Sequence, residues 1–285
     1  MRVGIFVILC CIFFDANGRN IEFKSLGYHE TVGIPKAKSL LRSERLRIVG
    51  GGPVPSVTAY PYQAGLVTLL TTGQTSICGG SIISNTRILT AAHCWWDGYS
   101  QAKQFTVVLG SLTIFSGGTR VVSSDVIVHP NWNTNTVTND IAIVKISAVQ
   151  FNNNIRAVAL PTAADANQDF SGMIGTITGY GKTSDAQTSF PPSTSLHHNT
   201  VTILTNRVCQ QSFDITIQST HMCTSGHGKV GTCDGDSGGP ITVLRNNIRM
   251  QVGVVSFGLA DGCQSGIPSV FTRVTSFLSW INANL

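Results

Sequence analysis

Three short motifs contain a hydroxyl, a carboxylate and an imidazole that together would perform nucleophilic catalysis. Ser237 lies in the motif Gly-Asp-Ser-Gly-Gly-Pro, where residues without a Cβ permit a tight turn and a close approach of substrate to the backbone. A serine hydroxyl is a weak nucleophile, so it needs a base within hydrogen-bonding reach. The backbone N–H groups of Gly235 and Ser237 would then converge on the oxygen of a scissile carbonyl.

His93 is the best candidate for that base. It is one of seven histidines, but small residues precede it and Cys94 follows it, so a disulfide would fix its backbone. Asp140 comes directly before the apolar run Ile-Ala-Ile-Val, and a buried carboxylate requires a polar partner. A histidine N–H is such a partner, and this bond would set the tautomer of the imidazole. We therefore predict Ser237 as nucleophile, His93 as base and Asp140 as the group that orients the base.

The elements that must position these groups are short apolar runs separated by Gly, Pro, Asn, Asp and Ser, which is typical of strands and turns. A charged fraction of only 12% and 29 glycines agree with an all-β composition. Residues 275–285 carry apolar side chains at helical spacing, which predicts a C-terminal helix. The clearest predicted strands are residues 105–109, 120–128, 141–146, 173–178, 250–257 and 269–274.

The start of the chain has the pattern of an export signal followed by a propeptide. Arg2 precedes an apolar run over residues 3–14 and then small residues, which predicts a signal peptide over residues 1–18. Residues 19–47 are polar and basic and predict an activation propeptide, so the folded domain is expected over residues 48–285. The apolar run is too short to span a bilayer, so we expect no membrane attachment after its removal.

The net charge of +5 does not indicate a nucleic-acid partner. Residues 1–47 hold eight basic and four acidic residues, so the remaining body carries a net charge of only +1. A body with so small a surplus has no electrostatic reason to bind phosphate backbones.

Of the eight cysteines, Cys10 and Cys11 leave with the predicted signal peptide. An even number in an exported protein indicates disulfides, although six cysteines allow 15 pairings and spacing alone does not choose among them. None has the C-x-x-C spacing of a zinc site, so no metal site is predicted. The remaining six are Cys78, Cys94, Cys209, Cys223, Cys233 and Cys263.

Four motifs occur in the order found in trypsin- and chymotrypsin-like serine peptidases, which this chain resembles: Ile48-Val-Gly-Gly, Ala-Ala-His93-Cys, Asp140-Ile-Ala and Gly-Asp-Ser237-Gly-Gly-Pro. The resemblance covers residues 48–285 and implies a serine endopeptidase of two packed six-stranded antiparallel β-barrels with a C-terminal helix. The barrels would occupy residues 48–160 and 161–285, with the catalytic residues at their junction. The resemblance also puts the oxyanion hole at the N–H groups of Gly235 and Ser237, and implies no cofactor.

The resemblance further implies the disulfides Cys78–Cys94, Cys209–Cys223 and Cys233–Cys263. It implies an activation step in which a trypsin-like protease cuts after Arg47. The new α-amino group of Ile48 would then insert beside the carboxylate of Asp236 and order the oxyanion loop.

Three aligned positions describe the predicted specificity pocket: Gly231, Gly258 and Ser269. Without a carboxylate at the floor position Gly231, a buried Lys or Arg side chain would lose its hydration with little in return. The open, uncharged pocket favours Phe, Tyr, Leu or Met at P1, and it resembles the pockets of arthropod digestive chymotrypsins and of brachyurin-type collagenases. The run Ser256, Phe257 and Gly258 is expected to pair with the substrate backbone.

Several alternatives stay open at this point. The pocket also permits elastase-like or collagenolytic specificity, and the acidic residues Asp234 and Asp261 near its rim would either attract basic side chains or simply be solvated. A catalytically inactive homologue acting as a binding module and a regulatory cascade protease are further alternatives. We expect a secreted, digestive monomer, released into a space such as the gut lumen. Its expected partners are protein or peptide substrates, the activating protease and protein protease inhibitors.

Overall fold

The computed structural model describes residues 13–14, 20–21, 27–34, 51–182, 185, 195–258 and 262–285. Most of the predicted signal peptide and propeptide, including the bond between Arg47 and Ile48, lies outside these residues. No helix within them is both long enough and apolar enough to cross a membrane.

Short antiparallel strands dominate the described part of the chain. In chain order they are β1 Phe13–Phe14, β2 Asn20–Ile21, β3 Gly52–Pro53, β4 Gln63–Leu70, β5 Thr75–Ser84, β6 Arg87–Thr90, β7 Ala102–Leu109, β8 Thr119–Ser123, β9 Val126–Val128, β10 Ala142–Lys145, β11 Ile174–Gly179, β12 His197–Leu204, β13 His221–Thr224, β14 Pro240–Arg245, β15 Ile248–Phe257 and β16 Ser269–Arg273. The α-helices are α1 Asn206–Cys209 and α2 Leu278–Asn282. A π-helical turn covers His29–Gly33, and 3₁₀ turns cover Val57–Ala59, Ala92–Cys94, Ala163–Asp165, Gln210–Ser212 and Val274–Phe277.

The first half of the domain is one curled sheet with the strand order β8-β7-β4-β5-β6-β10-β9. Its two edge strands, β8 and β9, follow each other in the chain and are separated by two residues only. The chain itself therefore joins the two edges. The sequence predicted a single strand over residues 120–128, and the structure divides it because β8 pairs with β7 whereas β9 pairs with β10.

The second half is a closed barrel of six strands. The order β11-β14-β15-β16-β13-β12 returns to its start because β11 also pairs with β12. Full closure leaves these strands without an exposed edge, which protects the sheet from pairing with other chains. The short strand β3 adds to β12 from outside, through Gly52 and Pro53. The start of the predicted first barrel thus lies on the second.

Each half surrounds a core of apolar side chains that its strands contribute. The core of the first half includes Leu66, Ile82 and Ile143, and that of the second half includes Ile241 and Phe271. Burying such side chains on one face of each strand is what drives an antiparallel sheet to curl around them. The all-β, trypsin-like fold class with a C-terminal helix is confirmed.

Polar contacts join the two halves across their buried junction. Ser81 donates a hydrogen bond of 2.6 Å to Gln251, and Thr178 donates one of 2.6 Å to Gln63. All four side chains are buried or nearly so, and pairing keeps the cost of burying polar groups low. The junction is thus a fixed surface on which catalytic groups from both halves are held.

Candidate active site

Strand pairing brings His93 and Asp140 together. His93 lies in the 3₁₀ turn that follows β6, and Asp140 lies just before β10. These two strands are antiparallel neighbours with Thr90 opposite Ala142, so the end of one meets the start of the other. Residues far apart in sequence therefore share one end of the first sheet.

The His93 ring is held by a buried carboxylate. Nδ1 of His93 lies 2.7 Å from Oδ2 of Asp140, and the backbone N–H of His93 donates to Oδ1 at 2.9 Å. The hydroxyl of Ser256, from β15 of the second half, donates to Oδ2 at 2.6 Å. Both His93 and Asp140 have no exposed surface, so the carboxylate is stabilised by these three donors rather than by water.

Ser237 lies in the turn between β13 and β14, where two glycines adopt the left-handed backbone conformation. Gly235 has φ of 96° and Gly238 has φ of 78°, values that favour glycine. A Cβ at Gly238 would lie 2.6 Å from the carbonyl oxygen of Gly79. The carbonyl of Ser237 accepts a 2.7 Å hydrogen bond from the N–H of Gly79, so the serine turn is fastened to the first half.

The structure brings the predicted catalytic serine and base to one place with a third residue, Tyr28, against both. The Tyr28 ring meets the His93 ring edge-on, with centroids 5.0 Å apart. The Tyr28 hydroxyl interacts with the side chain of Ser237. No hydrogen bond between Ser237 and His93 occurs among the described residues. The residues of the predicted triad are therefore adjacent, with a tyrosine ring against the base and its hydroxyl beside the nucleophile.

A cavity beside Ser237 is lined by two of the three residues of the predicted specificity pocket, Gly258 and Ser269. Gly231 is not among the described lining residues but lies next to Ser269, since a Cβ on Gly231 would be 2.9 Å from the Ser269 hydroxyl oxygen. A Cβ on Gly258 would meet no atom within 4 Å, which agrees with an open entrance. The cavity is lined by Tyr28, Thr232, Cys233, Asp234, Ser237, Val255, Ser256, Phe257, Gly258, Gly262, Cys263, Ser265, Ile267, Pro268 and Ser269.

Among the described residues of that lining, Asp234 carries the one carboxylate, and it forms an ion pair. Oδ2 of Asp234 lies 2.7 Å from Nζ of Lys182, and the Asp234 side chain is only 13% exposed. The hypothesis that Asp234 attracts basic substrate side chains loses support, because a lysine already neutralises this charge. Asp261, the second rim residue, lies outside the described residues.

Asp236 is enclosed by backbone, as an internal carboxylate would have to be. Its Oδ1 accepts from the N–H of Gly181 at 2.7 Å, and its Oδ2 accepts from the N–H of Cys233 at 3.0 Å. A Cβ on Gly179 or Gly181 would collide with this carboxylate. The surrounding glycines therefore make room for a charged group that is only 2% exposed.

The six cysteines form three disulfides with the pairing that the family resemblance implied: Cys78–Cys94, Cys209–Cys223 and Cys233–Cys263. The described residues bring His, Cys and Asp together in two groups of three, and each group includes cysteines of these disulfides. A cystine sulfur has no thiolate to offer a metal ion.

Sequence reasoning missed two features of the site. It assigned Ser256 to substrate binding and did not foresee its hydrogen bond to Asp140, because nothing local in the sequence links residues 116 positions apart. It also left Tyr28 without a role, since residues 19–47 have no sustained apolar period. The sequence feature that could have indicated a role for this segment is the pair Tyr28-His29, which lies between Gly27 and Gly33.

Comparisons with known proteins agree with this geometry. The Trypsin family matches residues 48–281. A collagenase from Hypoderma lineatum is 37% identical over 227 residues, covering 79% of this chain and 82% of the relative. Brachyurin from Leptuca pugilator is 39% identical over 239 residues, covering 82% and 96%. A solved structure of HL collagenase superposes with a TM-score of 0.75 at 34% identity, covering 83% of this chain and 98% of that one.

Proposed function

Because this chain belongs to the trypsin family and its relatives are serine endopeptidases, we propose that it is a secreted precursor that gains peptidase activity when the Arg47–Ile48 bond is cut. The observation that carries the proposal is the buried contact between His93 and Asp140 beside Ser237. Peptide and protein substrates follow from the family.

The chemistry starts when the Ser237 hydroxyl attacks the scissile carbonyl and forms an acyl-enzyme. His93 takes the hydroxyl proton and later gives it to the leaving amine. The carboxylate of Asp140 accepts three hydrogen bonds and holds Nδ1–H of His93 in place. The N–H groups of Gly235 and Ser237 stabilise the tetrahedral oxyanion, and losing one such donor typically costs ~100- to 1000-fold in turnover.

Activation is proposed to work through Asp236. Cleavage after Arg47 would free the α-amino group of Ile48, which would carry a positive charge at neutral pH. The enclosed carboxylate of Asp236 is the natural partner for such a charge, and it lies one residue before the nucleophile. Insertion of the α-amino group beside Asp236 would therefore fix the backbone of the serine turn.

The pocket supports cleavage after large apolar residues. The carboxylate in its described lining, that of Asp234, is paired with Lys182. Apolar side chains such as Phe, Tyr, Leu and Met gain about 25 cal/mol per Å² when they enter such a site. Two relatives are a collagenase and a brachyurin, so a collagenolytic activity on the same pocket is the second candidate.

The experiment is to cut the purified precursor after Arg47 and to profile it on a peptide library. We expect labelling of Ser237 by a fluorophosphonate, no labelling of the Ser237→Ala variant, and cleavage after Phe, Tyr, Leu or Met. Predominant cleavage after Lys or Arg would contradict the pocket argument. If the folded, correctly cut protein takes up no label, the proposed peptidase activity is contradicted and a role as a binding module is favoured. Intact triple-helical collagen as a substrate separates the second candidate from the first.

A further inference from the structure

A short segment of the predicted propeptide, Gly27–Ile34, lies over the catalytic residues. Tyr28 at its start is only 1% exposed. Its hydroxyl donates a 2.5 Å hydrogen bond to the carbonyl of Ile77 and interacts with Ser237, while its ring packs on His93 at an interplanar angle of 65°. Tyr28 therefore fills space that an incoming scissile bond would need.

His29 anchors the segment to the first half of the domain. It has no exposed surface, its N–H donates to Oδ2 of Asp97 at 2.8 Å, and its Nδ1 lies 2.8 Å from the hydroxyl of Ser76. Asp97 is itself held in place, since its Oδ1 accepts from the N–H groups of Tyr99 and Ser100 at 2.9 and 2.7 Å. The domain thus presents a fixed carboxylate and hydroxyl to this residue.

The far end of the segment fits as closely. A Cβ on Gly33 would lie 1.6 Å from the Ser76 hydroxyl oxygen and 3.1 Å from the Tyr28 ring. Ile34 is 4% exposed and packs with Leu70 and Ala102 of the first sheet. Apolar and polar contacts therefore hold both ends of the segment against the domain.

The position of this segment in the chain makes its binding sensitive to cleavage. Ile34 precedes the predicted cleavage site by 13 residues, so in the precursor the segment is tethered to its own binding surface. Flexible tethers of this kind give effective concentrations of about 1 mM. The sequence has no cysteine between Cys11 and Cys78, so no disulfide keeps the segment attached after the cut. It would then be diluted to the concentration of the protein itself.

We propose that residues 27–34 are a tethered inhibitor that fills the substrate cleft of the precursor, with Tyr28 as the side chain that blocks Ser237 and His93. The proposal rests on the proposed function, because it concerns control of the same active site. The precursor would then be inactive for two reasons: Ile48 is not yet free, and the segment occupies the substrate cleft. Release of the segment after the cut becomes the second event of activation.

The test uses the precursor cut after Arg47 and freed of its propeptide by gel filtration, with synthetic peptides of residues 25–36 added back. Hydrolysis of a small chromogenic substrate with Phe at P1 is the readout. We expect the natural peptide to inhibit with a dissociation constant of roughly 1–100 μM. This value lies below the effective concentration of the tethered segment, so the segment is bound in the precursor. It lies above the concentration of the protein in dilute solution, so the free segment dissociates after the cut. The Tyr28→Ala and Gly33→Val peptides should inhibit at least tenfold less, and a scrambled peptide of equal composition serves as control.

Binding of fluorescent peptides to the cut Ser237→Ala protein, followed by anisotropy, keeps the outcome independent of turnover. If the cut protein is active but binds the natural peptide no better than the Tyr28→Ala peptide, the inhibitor is refuted and the enzyme stands. If the cut protein hydrolyses nothing, the proposed function fails, and tighter binding of the natural peptide still supports a docked segment. Mass spectrometry of the recovered peptide adds one outcome: rapid cleavage after Tyr28 would make it a substrate and overturn the proposal.

Discussion

Ser256 reaches from the second half of the domain to stabilise the carboxylate that orients His93. Its 2.6 Å hydrogen bond to Asp140 is buried, and losing one partner of a buried carboxylate typically costs about 1–3 kcal/mol. In Ser256→Ala we expect kcat/KM to fall roughly 5- to 100-fold, because His93 is held less firmly in the transition state. Steady-state kinetics on the cut enzyme measure this.

The control is Ser171→Ala, which removes a surface hydroxyl bonded to Asp169, far along the chain from the site. It should leave kcat/KM unchanged. Equal kinetics in Ser256→Ala and the natural enzyme would show that the two remaining hydrogen bonds to Asp140 suffice.

His29 makes binding of the proposed inhibitory segment depend on pH. The pKa of the docked His29 is lowered to about 4, mainly by burial. The charge of Asp97 opposes this shift, and the charge of His93 contributes to it. A free histidine has a pKa near 6.5, so the docked form binds fewer protons and docking is favoured above that pH. Affinity for the 25–36 peptide should fall about tenfold per pH unit between pH 6.5 and 4.

Anisotropy with the cut Ser237→Ala protein measures this affinity without turnover. A His29→Gln peptide is the matched control, because it lacks the titrating ring while the protein is the same in both experiments. Parallel pH profiles for the two peptides would remove His29 as the cause.

The sequence predicted the roles of the catalytic residues better than it predicted the contacts around them. Ser237, His93 and Asp140 stand in motifs whose neighbours, small residues or a buried strand, already indicate their roles. The contacts of Ser256 and Tyr28 depend on which strands and turns meet in space. A pattern read along the chain contains no such information, so neither contact could be derived from it.

The disulfides Cys78–Cys94 and Cys209–Cys223 close loops of similar length, but only the first lies beside a catalytic residue. They link residues 16 and 14 positions apart, so each should stabilise the fold by about 3 kcal/mol through the unfolded chain. Cys94, however, follows His93, and its sulfur lies 3.7 Å from the carbonyl oxygen of Ser237.

We therefore expect both double alanine variants to lose about 6–12 °C in Tm, for a domain of this size. Only Cys78→Ala with Cys94→Ala should also lose kcat/KM at 25 °C, since it frees the backbone beside the base. Scanning fluorimetry and kinetics on the same samples test this. A similar loss of kcat/KM in both variants would mean that global stability, rather than the local tie at Cys94, supports catalysis.

The strands could be predicted where both faces or one face bury apolar side chains. The run over residues 141–146 appears as β10, Ala142–Lys145, between β6 and β9 of the first sheet. The run over residues 120–128 became β8 and β9 because its two ends pair with different strands, β8 with β7 and β9 with β10, and the N–H of Asp125 between them donates to the hydroxyl of Ser123. Which partner each part of the run pairs with is decided in space, so the sequence prediction joined the two strands into one.

At the scale of the whole molecule, both ends of the domain cross to the opposite half. β3 pairs with β12 of the second barrel, and the C-terminal helix packs into the core of the first half through Leu278 and Ile281. The two halves therefore share core residues as well as the polar junction. We expect them to unfold together as one cooperative unit.

Ile281→Ala tests this linkage. Ile281 has no exposed surface, and replacing a buried isoleucine by alanine typically costs about 2–5 kcal/mol because a cavity remains. Since the helix joins the end of the second half to the core of the first, the loss should lower one common Tm by roughly 4–20 °C rather than split the transition. The exposed Ser279→Ala in the same helix is the control and should leave Tm unchanged. Calorimetry of the cut enzyme would contradict the linkage if Ile281→Ala produced two separate transitions, because the halves would then be held together by the junction alone and not by the crossed ends.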